Sequence, residues 1–192
     1  MHIAAYIVLA LAFAISNMLL FRRCAELTPI RLTRGLGLTL CVAAVQTALF
    51  LLGMVLGNLL RFELPDDSAA FSTANAMIFL GLDIFVMLRM LLPHLRREPR
   101  LPLFDLGNGK ATIAISLTAA INPLLVGLGA GFVASSADIH KLWPIAMLVL
   151  LWIFGYWGVM LGRRKVAIRP VRWMVIAAIM LLGVGIAAMV NA

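Results

Sequence analysis

The chain has 192 residues, is 64% hydrophobic and 12% charged, and carries a formal net charge of +8; its mean hydropathy is +1.06. A soluble domain is about 45–50% apolar and about 25% charged. A globule of this length cannot hide so much apolar surface from water, which excludes soluble enzymes and soluble binding modules and leaves an integral membrane protein. Its 16 basic residues against 8 acidic ones do not point to nucleic acid, because no interleaved aromatic residues accompany them.

Apolar runs cover about 3–21, 35–60, 75–92, 111–133, 142–162 and 171–191. At roughly 20 residues per crossing, each can span a bilayer as a helix. None alternates apolar and polar residues as barrel strands do, and in lipid each segment must satisfy its own backbone amides, so the runs are predicted to be helices. The first run is long and has no Lys or Arg before it, so it reads as a first span and not as a cleaved signal peptide. The expected architecture is a single all-α membrane domain, 1–192, of six transmembrane helices. Cys24 and Cys41 match no metal or disulfide spacing and read as free thiols.

The loops separate by charge. Arg22, Arg23, Arg31 and Arg34 lie between runs one and two; Arg89, Arg96, Arg97, Arg100 and Lys110 flank the third loop; Arg163, Arg164, Lys165, Arg169 and Arg172 lie in the fifth. The second and fourth loops keep only Arg61 and Lys141, beside Glu63, Asp66, Asp67 and Asp138. The positive-inside rule places the odd loops in the cytoplasm and both termini outside.

The third loop, about 93–110, contains Pro93, Pro99, Pro102, Gly107 and Gly109 and reads as a connector. It separates a first half, about 1–92, from a second, about 111–192. The halves echo one another. Ile15-Ser16-Asn17-Met18-Leu19-Leu20 corresponds to Ala120-Ile121-Asn122-Pro123-Leu124-Leu125, and Gly53-Met54-Val55-Leu56-Gly57 to Gly158-Val159-Met160-Leu161-Gly162. Asn17 precedes Gly57 by 40 residues, and Asn122 precedes Gly162 by 40. Phe79-Leu80-Gly81 pairs more loosely with Leu181-Leu182-Gly183. Three spans per copy force the second copy to be inverted, an arrangement common in transporters, whose substrate site lies between the copies near the midplane.

Polar residues within spans are the candidate site. Asn17 and Asn122 occupy matching positions. Pro123 follows Asn122 and obstructs the carbonyl four residues back, at Ala119, leaving a backbone oxygen near a side-chain amide. Gln46 lies 29 residues after Asn17, whereas Leu151 lies 29 after Asn122, so any site is asymmetric. Asp83 is the acid well inside a span, expected to face the bundle interior protonated or paired, as a proton relay or a cation ligand. Each of these residues also has a plain packing reading, as an interhelical hydrogen bond. Gly53 and Gly57, Gly127 and Gly131, and Gly158 and Gly162 form GxxxG pairs suited to close helix packing. Trp143, Trp152, Trp157 and Trp173 mostly suit anchoring at the membrane interface. His2, His94 and His140 are scattered, and no nucleophile with a base, phosphate loop or carboxylate pair gives an enzyme reading support.

These features resemble the small manganese efflux pumps (MntP-like) of the LysE-type exporter superfamily. The stretch Asn122-Pro123-Leu124-Leu125-Val126-Gly127-Leu128-Gly129 is similar to that family's Asp-Ala-Met-Ala-Val-Gly-x-Gly; Gly158 to Arg163 matches its Gly-x-x-x-Gly-Arg, Gly183-Val184-Gly185 its last-span Gly-x-Gly, and Val45-Gln46 its span 2 Val-Glu. The resemblance covers nearly the whole chain. It implies six spans as two inverted three-helix repeats with both termini outside, a cell inner membrane location, and export of a divalent cation such as manganese by alternating access. It also implies Asn17 and Asn122 as metal-site candidates and, with Gln46, as substrate-binding ones, without a resident cofactor; Asp83, read from its place inside a span, joins both sets. The family's acids fall on amides here, at Asn17, Gln46 and Asn122, and its motif places no acid at Asp83. A hard dication prefers charged oxygen ligands, so export of another small solute, or a non-transporting scaffold or subunit of a larger complex, stands beside the metal reading. A redox-complex subunit is disfavoured because the second half contains no cysteine.

Overall fold

A computed structural model describes residues 3–28, 31–61, 68–95, 109–134 and 142–191. These residues form six α-helices, with no strand among them: α1 Ile3–Leu27, α2 Leu32–Leu60, α3 Ser68–Leu95, α4 Gly109–Val133, α5 Trp143–Arg163 and α6 Pro170–Val190. All six are long and apolar enough to cross a membrane, and they coincide with the six apolar runs.

The differences lie at the ends, where lipid no longer dictates the sequence. α1 continues past the apolar run through Arg22 and Arg23, both good helix formers; Arg22 meets Glu26 one turn on at 3.6 Å, and its Nε donates to the Val166 carbonyl at 3.1 Å. Pro93, expected in the connector, lies inside α3. So close to the helix end, its missing N–H disrupts little of the hydrogen-bond ladder. Residues 96–108, most of the connector, lie outside the described residues.

The outer surface is apolar: Ile113, Ile145, Ile153 and Ile179 are all half exposed or more, Ile179 at 64%. Water would not tolerate apolar side chains so densely spread over every helix, whereas hydrocarbon is their natural solvent. The chain is therefore a multi-pass membrane protein in contact with a lipid bilayer.

Inside, small residues let backbones meet. α2 packs chiefly on α4 and α1 on α5; α3 lies against α6 and α4, α1 also touches α6, and α2 touches α5. A Cβ on Gly53 would collide with the Leu124 carbonyl, and one on Gly57 with the Leu128 carbonyl; from the other side, Gly127 and Gly131 press on the carbonyls of Phe50 and Met54. The α1–α5 contact repeats this ladder, with Gly158 on the Met18 carbonyl and Gly162 on that of Arg22. In both pairs the helices advance in the same direction. Trp143 departs from the interfacial reading: only 3% exposed, it stacks on Tyr6 with ring centroids 4.4 Å apart and meets Phe50 edge-on. Trp157 and Trp173 do face outward.

Candidate functional site

Five helices, all but α5, contribute to the site. Asn17 on α1 and Gln46 on α2 are each 2% exposed and exchange both amide bonds. Asn17 Nδ2 donates to Gln46 Oε1 at 2.6 Å, and Gln46 Nε2 donates back to Asn17 Oδ1 at 2.9 Å. The second hydrogen on Gln46 Nε2 goes to the Ala119 carbonyl on α4 at 3.1 Å. That carbonyl is the one Pro123 deprives of its helical donor, so a side chain from another helix restores the lost bond. The freed oxygen read from the sequence is real, and its partner is the amide of Gln46.

The three amides line one cavity of about 290 Å³ with Phe13, Ser16, Thr118 and Arg89. Asn122 faces it from α4, and its Oδ1 is buried without a hydrogen-bond partner among the described residues. Asn17 has Gln46, 29 residues on, to pair with, whereas the residue 29 after Asn122 is the fully buried Leu151. Ser16, Thr118 and Arg89 escaped sequence reasoning, because a serine or threonine in a span commonly bonds its own backbone, as Thr39, Thr47 and Ser116 do here.

Asp83 stands apart. It is fully buried where α3 meets α6. Its carboxyl faces the backbone of Gly185, and neither oxygen makes a hydrogen bond to a described residue. The four sequence candidates thus divide into three gathered amides and one separate acid.

A larger cavity, about 960 Å³, opens at the end of the bundle that carries the start of α1 and the end of α6, lined among others by Ala5, Val8, Arg61, Asn75, Phe132 and Asn191. Arg61 and Asn75 were not singled out from the sequence as site residues. The signal was there for Arg61, one of two Arg or Lys residues outside the three basic loop clusters; Asn75 merely opens the third apolar run.

Chemically, the amide cavity offers neutral hydrogen bonding. A hard dication takes about six oxygen ligands, several of them charged. The oxygens of Asn17 and Gln46 already accept from each other, and the unengaged amide oxygen is that of Asn122. Among the described residues, no three His, Cys, Asp or Glu side chains converge. As arranged, the amide cluster does not fit a bare divalent cation. No known protein family, curated protein or solved structure matches the chain.

Proposed function

We propose that the chain is a membrane transporter of small polar solutes, built from two inverted three-helix halves that alternate access to the amide cavity. The observation that carries this reading is the cavity itself, where side chains from both halves meet buried in the bundle and one amide oxygen is left without a partner among the described residues. A group so placed invites a ligand that donates a hydrogen bond.

The helix contacts support the two-half plan. Exchanging α1 with α4, α2 with α5 and α3 with α6 turns the observed set of helix contacts into itself. It also carries the Gly53 and Gly57 ladder of α2 on α4 onto the Gly158 and Gly162 ladder of α5 on α1, with the facing carbonyls, Met18 and Arg22, one residue before the positions that correspond to Leu124 and Leu128. By the distribution of Arg and Lys, the amide cavity faces the cytoplasmic side and the larger cavity the outer side. The proposal keeps the architecture implied by the resemblance to manganese efflux pumps and replaces the divalent cargo with a neutral or singly charged polar solute, because the amides supply no charge. Asp83, away from the cavity at the contact between α3 and α6, is the candidate proton carrier.

Accessibility separates a transporter from a scaffold without knowledge of the solute. In a background with Cys24→Ala and Cys41→Ala, Ser16→Cys is treated with a membrane-impermeant thiol reagent from each side of sealed vesicles. A transporter gives labelling from both sides; labelling from one side only favours the scaffold. Manganese is tested beside it in liposomes holding a quenchable dye. The native chain is expected to pass none, and the variant Asn17→Asp, Gln46→Glu, Asn122→Asp to gain flux. Manganese flux through the native chain would reinstate the metal reading.

A further inference from the structure

We propose that the larger cavity, at the end where α1 begins, binds a small anion that also carries a hydrogen-bond donor, held by Arg61 and Asn75. Arg61 follows the end of α2. One arm of its guanidinium is fixed, Nη1 donating to the Ala134 carbonyl at 3.3 Å, while its Nε is buried with no hydrogen-bond partner among the described residues. A buried charged donor without an acceptor is costly, so the cavity lacks an acceptor at that point, and an anionic oxygen suits a cationic N–H best. Asn75, on α3, lines the same cavity. It is 3% exposed, and its Oδ1 also lacks a partner among the described residues, so it calls for an O–H or N–H.

One cationic donor and one neutral acceptor, both unsatisfied in one cavity, are the complement of a hydroxylated anion. Much of the remaining wall is apolar, from Val8, Phe132, Met180 and Val184, which suits a short carbon skeleton. A hydroxycarboxylate has this chemistry, and so does the phosphoglycerol headgroup of an anionic lipid. The amide cavity repeats the combination, with Arg89 on its wall and the unpartnered Oδ1 of Asn122. That the two cavities serve one route rests on the transporter reading; the Arg61–Asn75 site does not.

The test is calorimetric titration of the full chain in phosphatidylcholine nanodiscs, with lactate as probe and acetate as the anion that lacks the hydroxyl. Lactate is expected to bind about fivefold more tightly than acetate, the effect of one neutral hydrogen bond. Arg61→Gln weakens lactate binding about tenfold or more, Arg61→Lys keeps part of it, and Asn75→Leu brings lactate down to the level of acetate. A second arm replaces some phosphatidylcholine with phosphatidylglycerol. If the lipid headgroup is the ligand, phosphatidylglycerol raises the thermal midpoint of the native chain, competes with lactate, and does neither in Arg61→Gln. Equal lactate affinity in the native chain and Arg61→Gln overturns the proposal, as does the absence of both lactate binding and an Arg61-dependent lipid effect. One-sided labelling of Ser16→Cys would remove the transporter reading and leave this site standing.

Discussion

The carboxyl group of Asp83 occupies the space that a side chain on Gly185 would fill. A Cβ built on Gly185 lies 2.9 Å from Asp83 Oδ2 and 2.8 Å from Leu80 Cδ1, closer than packed atoms tolerate. The glycine on α6 and the acid on α3 are therefore complementary, and each constrains what the other can be.

Gly185→Ala is expected to destabilise the bundle by about 1–3 kcal/mol, the usual cost of overpacking. Asp83→Ala empties the same space, so the double variant should recover much of the loss. Thermal unfolding in detergent, run as a double-mutant cycle, measures the coupling. Additive losses would mean that Gly185 meets some other obstacle.

Gln46→Leu strands the amide of Asn17 and the carbonyl of Ala119 together. The expected loss is about 1–3 kcal/mol, the cost of leaving a buried polar group unpaired. Asn17→Leu with Gln46→Leu removes both amides and should be milder than Gln46→Leu alone, leaving Ala119 as the orphan. A double variant worse than either single one would show that the amide pair is not a closed unit.

Two classes of glycine should behave oppositely. Gly57→Ala and Gly158→Ala drive a methyl group into backbone on the facing helix and are expected to cost about 2 kcal/mol or more. At Gly81 and Gly183 nothing lies within 4 Å of the place a methyl group would take; alanine there should be neutral or stabilise by up to about 1 kcal/mol through helix propensity. Monodispersity after heating, followed by size-exclusion chromatography, separates the two groups.

Asn122→Leu removes from the amide cavity the oxygen that has no partner among the described residues. Stability should hold or rise, because a buried unsatisfied group is lost. If the cavity binds a solute, labelling of Ser16→Cys loses its protection by that solute in the same variant. A large drop in stability would instead mean that Asn122 is a structural bond.

The spans were legible because lipid enforces one rule over some twenty residues at a time. The amide cluster was legible for the same reason, since Asn17, Gln46 and Asn122 stand out from apolar surroundings, and Pro123 marked a mid-span carbonyl in need of a donor. What escaped depends on which helix faces which. A GxxxG pair announces that a backbone approaches closely but not whose, so Gly158 resting on Met18 could not be read from α5 alone. Trp143 looks interfacial by its place in the chain, and only the position of Tyr6 on another helix shows why it is buried. Arg61 and Asn75 were missed because each is ordinary on its own helix, and their significance comes from sharing one cavity.

The crossed pairing of α1 with α5 and of α2 with α4 also bears on how the protein is made. The first three helices enter the bilayer before their main partners exist. Until α4 and α5 are synthesised, the glycine face of α2 has only lipid, or another nascent chain, to lie against. Early truncation products would thus display an open adhesive groove, and two chains made side by side on one messenger could trade halves. Correct assembly is a race between the ribosome finishing the chain and a neighbour finding it.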